Sequence, residues 1–242
     1  MKETTEKLNS YNVAITGTSR GIGEQLVMQF IQDPACGKIY CISRHHDNIT
    51  ALSEAANKCI PIKLDLKHPD SINEQIRNSV MENETKLNFL VNNAGYLSNI
   101  PFTEYSYAES LAIFAVNYFS PLALIRQLVP KMKEASHRHI VNISSMAGVQ
   151  GSVKFPGLVH YGASKGALAT ATELLAAELQ NEEVSINCLA LGSVDTEMFS
   201  EAFPGAVAQT NAETMAHHIY NFLLNGYKVA NGKIFPLSLG TP

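Results

Sequence analysis

The chain lacks several features that mark large classes of protein. It has no basic surplus: 18 Lys and Arg stand against 22 Asp and Glu, a formal net charge of -4. Nothing in that balance suggests a nucleic-acid partner. Only four cysteines occur (Cys36, Cys41, Cys59, Cys188), with no CxxC and no metal-finger spacing. Reduced, buried thiols in a reducing compartment are expected. The opening MKETTEKLNS (1–10) is polar and holds no apolar signal core, and no run of about 18 apolar residues follows it. A soluble cytoplasmic protein with no membrane partner is expected. The adjacent pairs His45-His46 and His217-His218 have no acid or cysteine at ligand spacing, so no metal is expected. With no repeat, low-complexity tract or linker, residues 1–242 read as one domain behind a polar N-terminal segment.

What is present is an alternation. Short runs rich in Val, Ile and Leu occur at 11–17, 38–43, 59–66, 87–95, 139–145, 184–192 and 232–239. Helical spacing separates most of them, at 23–33, 70–84, 105–135 and 162–180. Strands apolar on both faces, alternating with helices, predict a doubly wound α/β fold: a Rossmann-like parallel sheet covered on both sides. Only 198–212 shows no clear period.

The loop TGTSRGIG (16–23) joins the first strand to the first helix. Gly17 allows a sharp turn, Gly21 lets a phosphate approach the backbone, and Gly23 lets helix pack on strand. Thr18, Ser19, Arg20 and Ile22 complete a loop whose amides, with the helix N-terminus, suit an anion. An ordinary strand-to-helix turn has the same parts. At the end of the second strand, where an NAD site tends to hold an acid for the ribose hydroxyl, the chain has Ser43 and Arg44. Arg44 and Arg20 suit a 2′-phosphate, which favours NADP(H) over NAD(H). Two solvated arginines are the plain alternative, and Asp47 is a competing acid further into the loop.

Tyr161 and Lys165 are four residues apart, on one face of a helix. A phenol has a pKa of about 10, and a nearby ammonium stabilises phenolate and lowers that value. Such a phenol can give a proton to a carbonyl oxygen or take one from an alcohol. Taken alone, the pair also reads as a half-buried tyrosine beside a surface lysine. Asn117 lies in a long helical pattern, four residues before Pro121. Proline brings no N–H to that carbonyl and clashes with it, so a kink and a free Asn117 carbonyl are expected.

TGTSRGIG, NNAG (92–95), Asn117, NISS (142–145), YGASK (161–165) and LGSVDTEM (191–198) occur in order over nearly the whole chain. The sequence resembles the short-chain dehydrogenase/reductases in their compact single-domain form. The resemblance implies NAD(P)-dependent carbonyl or alcohol chemistry at a site of Asn117, Ser145, Tyr161 and Lys165. It implies a structural role for Ser144 and a water relay from the Asn117 carbonyl to Lys165. It places Asn93, Ala94 and Gly95 on the cofactor, with Asn92 tying strands together. Asp65 and Leu66 match an adenine contact, although Asp65 also reads as a helix cap or loop acid. Gly192, Val194 and Thr196 match positions that meet the nicotinamide amide and the diphosphate, with Tyr161 and Lys165 also touching the cofactor.

Two departures from the family pattern stand out. Leu191 replaces a usual proline, and Ser145 and Tyr161 are 16 positions apart, a wider interval than usual, so the loop 146–160 is enlarged. Extra loop length is cheap, and this loop is a candidate substrate wall. Tyr96, Leu97, Phe155, Leu158, Met198, Phe199 and Phe203 are candidate pocket residues for a largely apolar carbonyl or alcohol substrate, while His160 reads as a solvated loop residue. The small, apolar helix 166–179 suits a homodimer or homotetramer as well as internal packing. The alternative to an oxidoreductase is a non-catalytic NADP-binding regulatory or scaffold protein, which has no need of all four catalytic residues.

Overall fold

A computed structural model describes residues 10–46, 57–76, 80 and 86–239. The expected Asp47, most of the N-terminal segment and the helix beyond residue 76, apart from Val80, lie outside them.

Seven strands form one parallel sheet in the order β3-β2-β1-β4-β5-β6-β9. They are β1 (Tyr11–Thr16), β2 (Cys36–Ser43), β3 (Cys59–Lys63), β4 (Phe89–Asn92), β5 (His139–Ser145), β6 (Ser185–Leu191) and β9 (Ile234–Leu237). A small parallel pair, β7 (Val194–Asp195) and β8 (Thr210–Asn211), stands apart. The order reverses between β1 and β4, and a crevice opens there at the carboxyl ends of the strands.

Both faces of the sheet are covered. Helix α1 (Gly21–Gln32) buries Leu26, Val27 and Phe30 on one face, beside Met215, Ile219 and Leu223 of a helix at Ala212–Asn225. On the other face lie α2 (Ile72–Ile76), α3 (Tyr107–Phe114), α4 (Ser120–Met132) and α5 (Val159–Glu178). The stretch Tyr107–Met132 has the length and hydropathy of a membrane span, which the run-by-run reading of the sequence did not register. Its Val116, Leu124 and Leu128 are packed into the core.

Two helices follow β6, the first in the stretch 198–212 that shows no clear period and the second beyond it. They are α6 (Glu197–Ala202) and α7 (Ala212–Asn225). The Asn211 side chain accepts from the Thr214 N–H at 2.8 Å and caps α7. Asn211 and the 215/219/223 stripe were the legible signals for α7. The expected kink at Asn117 is a π-turn, Ala115–Phe119, where the Ser120 N–H reaches back five residues to the Ala115 carbonyl. Pro121, two residues beyond it, offers no N–H to the Asn117 carbonyl. All four cysteines are buried free thiols.

Candidate active site

The crevice is a cavity of about 580 Å³. Gly17, Ser19, Arg20, Gly21 and Ile22 line one end, with Ser43 and Arg44 after β2 and Asp65 and Leu66 after β3. Asn93, Ala94 and Gly95 line its floor, and Gly192, Val194 and Thr196 its far wall. Ser145, Tyr161 and Lys165 meet in the same cavity. Two expected cofactor residues do not line it: Thr18 is fully buried, its hydroxyl without a partner, and Gly23 is a packing residue. A Cβ on Gly23 would lie 2.0 Å from the Gly17 carbonyl oxygen.

The glycine loop is fitted to its neighbours by the lack of side chains. Gly17 has φ +72°, and a Cβ there would sit 2.9 Å from Ala94 Cα. The Asn93 side chain holds the turn by donating to the Thr16 carbonyl at 2.9 Å. This is a tight cradle at a helix N-terminus, a setting that suits a diphosphate. Arg20 is already engaged: its guanidinium meets Glu201 of α6 at 2.9 Å. Ser43 donates to the His45 carbonyl. Arg44 is the exposed cation at the end of β2. Asp65 accepts from the Lys67 N–H at 3.0 Å, so it serves as a loop acid while also lining the cavity.

Ser145 ends β5, and the short turn Met146–Gly148 follows it. The Ala147 N–H donates to Ser145 Oγ at 3.2 Å. That turn is pressed against α5: a Cβ on Gly148 would lie 2.5 Å from the Gly166 nitrogen. No side chain fits between the turn and the helix face that carries Tyr161 and Lys165. Burial pushes the Tyr161 phenol up, and the hydrogen bond with Ser145 pulls it partly back. This direction is opposite to the lowering expected from Lys165: burial, which disfavours the phenolate, is the largest cause. Burial also pulls the Lys165 ammonium down to about 8. Lys165 Nζ donates to the Ile143 carbonyl at 2.8 Å.

Asn117 is buried beside this group, not in the cavity. Its Oδ1 accepts from the Tyr96 N–H at 2.8 Å, and its Nδ2 donates to the Tyr96 carbonyl at 2.9 Å and to Ser164 Oγ at 3.0 Å. The side chain thus joins the floor of the cavity to α5, a role the sequence reading missed. Ser144 donates to the Lys165 carbonyl at 2.8 Å, and Asn92 donates to Asn142 at 2.8 Å, both as structural ties. Leu191, in the place of the family proline, ends β6 and is buried.

The apolar candidates Leu97, Phe155, Leu158, Met198, Phe199 and Phe203 do line the cavity, as does Tyr96, whose hydroxyl donates to Glu109 at 2.8 Å. Val153 and Val207 join them, without having been singled out in the sequence. His160 is not a solvated loop residue. It lies in α5, with its ring 4.4 Å from that of Tyr105, edge to face.

Comparison with known proteins agrees with this geometry. A family model described as short chain dehydrogenase matches residues 11–206. Ketoacyl reductase HetN of Nostoc sp. is 31% identical over 77% of this chain, which spans only 64% of that longer protein. The 3-oxoacyl-[acyl-carrier-protein] reductase FabG of Chlamydia trachomatis is 29% identical over 76% of this chain and 74% of its own. Among solved structures, ElxO with NADP bound superposes with a TM-score of 0.80 at 24% identity, over 94% of this chain and 97% of that one. A 4-hydroxyisoleucine dehydrogenase complexed with NADH gives 0.85 at 20% identity, over 96% and 98%. Fold, motif order and family match converge: the chain belongs to the short-chain dehydrogenases/reductases.

Proposed function

We propose that the protein is an NADP(H)-dependent oxidoreductase that interconverts a carbonyl compound and its alcohol, with Tyr161 as general acid and base. The observation that carries this reading is the meeting of Ser145, Tyr161 and Lys165 in the cavity that the glycine loop also lines. The bound nicotinamide would supply or accept the hydride at the reacting carbon. The chain's own residues do the rest. The Gly17–Ile22 loop and the N-terminus of α1 suit the diphosphate, with Thr196 opposite. Asp65 and Leu66 suit the adenine, Asn93, Ala94 and Gly95 the adenosine side, and Gly192 and Val194 the nicotinamide amide.

Arg44, with Arg20 when released from Glu201, suits the 2′-phosphate and supports a preference for NADP(H). The Ser145 hydroxyl holds the substrate oxygen beside Tyr161, which delivers or removes the proton. Lys165 holds positive charge beneath the site and suits the ribose hydroxyls. The Asn117 carbonyl, denied its donor by Pro121, suits a water that returns protons to Lys165. We place the enzyme in the cytoplasm, acting on a small molecule and without a nucleic-acid or membrane partner. The exposed Tyr107, Leu111, Phe119 and Leu174 on the α3–α5 side support assembly as a homodimer or homotetramer.

The test is Tyr161→Phe. Cofactor binding should survive, and hydride transfer should fall by about 10²–10⁴-fold. Undiminished turnover in that variant rules out the role given to Tyr161.

A further inference from the structure

The walls of the cavity differ sharply in charge from one side to the other. Its cations at the glycine-loop end, Arg20, Arg44 and Lys67, belong to the loop after β1 and the segments after β2 and β3. The side formed by the segments after β5 and β6 carries Val153, Phe155, Leu158, Phe199, Phe203 and Val207 instead. Lys165 sits at the meeting point, with its ammonium on the Ile143 carbonyl.

Two cations near the mouth are already spent. Lys154 turns back into its own loop, donating to the Ala147 and Val149 carbonyls at 3.0 and 2.6 Å and to Ser152 Oγ at 2.7 Å. Arg20 is held by Glu201. The charged residue lining the α6 side is an acid, Glu197. A carboxylate or phosphate here would meet apolar side chains and Glu197 and find no cation to pair with, and any part of it buried between those walls would carry a steep cost. By contrast, Val153 and Phe155 are half exposed on one lip, and Val207 is 91% exposed on the segment across from it. Apolar side chains left open to water at the rim of a cavity mark a surface that gains from being covered.

We infer that the substrate is a free, uncharged ketone or aldehyde with a bulky apolar body, and that Phe155 is the residue that selects for that body. The inference rests on the oxidoreductase reading and narrows it. The substrate's oxygen lies at Ser145 and Tyr161, and its body lies between the 153–158 lip and Phe199, Phe203 and Val207. A thioester on a phosphate-bearing carrier, such as coenzyme A, has no cation to meet it on this side. The chain would then differ in substrate from the carrier-protein reductases that it resembles in sequence.

The experiment measures NADPH oxidation with three compounds of similar length: an aryl alkyl ketone, a keto acid and a 3-oxoacyl-coenzyme A. In parallel, binding of the same three to the NADP-loaded Tyr161→Phe variant is read by calorimetry. The aryl ketone should bind at least about 100-fold more tightly than either anion, the cost of an unpaired buried charge. Phe155→Ala should weaken the aryl ketone by about tenfold and leave a short ketone such as butanone within about twofold. Phe155→Leu should recover most of the loss. Equal or tighter binding of the keto acid or the coenzyme A thioester overturns the inference. So does a Phe155→Ala variant that loses long and short ketones alike. If the ketone binds selectively and none of the three compounds is turned over by the wild-type enzyme, the substrate class stands and the oxidoreductase reading falls.

Discussion

Ser145 Oγ receives the N–H of Ala147 at 3.2 Å. A hydroxyl that accepts there keeps its own proton free to be donated to Tyr161, with which it hydrogen-bonds. The serine is therefore a directed donor, set by the turn that follows it.

Removing that donor should move the pH profile. The hydrogen bond with Ser145 lowers the Tyr161 pKa against the rise caused by burial. In Ser145→Ala the phenol loses that support, so alcohol oxidation, which needs phenolate, should gain its activity at higher pH than in the wild type. Turnover should also fall by about 10²-fold or more. The check is kcat against pH for alcohol oxidation in both proteins.

Cofactor choice should respond to Arg44 and to the Arg20–Glu201 pair. Arg44→Ala should weaken NADPH by about tenfold, as expected for one lost charge-assisted contact, while NADH changes little. Glu201→Gln frees Arg20 and should tighten NADPH slightly, by less than about fivefold, since exposed ion pairs are weak. Titration of intrinsic nicotinamide fluorescence with each cofactor gives both numbers.

The Gly17 turn should not accept a side chain. Gly17→Ala places a methyl group 2.9 Å from Ala94 Cα at φ +72°. The strain should cost about 1–3 kcal/mol of stability and weaken NADPH binding as the loop moves. Urea unfolding and cofactor titration measure the two effects separately.

Acid should weaken the fold through His139. This ring is fully buried, with Nδ1 2.9 Å from the Leu223 carbonyl and Nε2 2.9 Å from Asn187 Nδ2. The neutral ring donates to the carbonyl and accepts from the amide. Burial pulls its pKa down from 6.5 to about 4. The unfolded chain therefore binds the proton more readily, and the stabilisation is complete above pH 6.5 and lost as pH falls toward about 4. The expected loss across that window is about 3 kcal/mol. His139→Gln should flatten this part of the pH dependence, as read from the urea midpoint of the two proteins between pH 4 and 7.

Much of this was legible in the residues. The strands were visible because Val, Ile and Leu fill both faces of a parallel sheet, and the glycine loop because a diphosphate needs bare backbone. Pro121 announced the turn at Asn117 by the hydrogen bond it cannot make. What escaped was held by distant partners. The Asn117 side chain finds Tyr96 and Ser164, and Arg20 finds a glutamate 181 positions away, neither of which leaves a local pattern. Helix α7 was passed over even though its cap at Asn211 and its stripe at Met215, Ile219 and Leu223 stand in the sequence, because the adjacent His217 and His218 between them drew the reading to metal ligands. The upward push of burial on the Tyr161 phenol was not legible, because spacing shows Lys165 but not the depth at which both residues lie.

The contact of Gly148 with α5 separates two kinds of change in this protein. The serine, the tyrosine and the lysine are locked together by backbone meeting backbone. The stretch of the same loop that carries Val153 and Phe155 is tied back to the Met146–Gly148 turn through Ser152 and Lys154 and to Ile100 through Gly157, yet both of these side chains are half exposed. On the proposed function, changes at Val153 and Phe155 would shift the range of accepted compounds without moving the serine, the tyrosine or the lysine. Retooling this protein for another carbonyl compound then begins at Val153 and Phe155 and extends to Phe199, Phe203 and Val207 across the cavity.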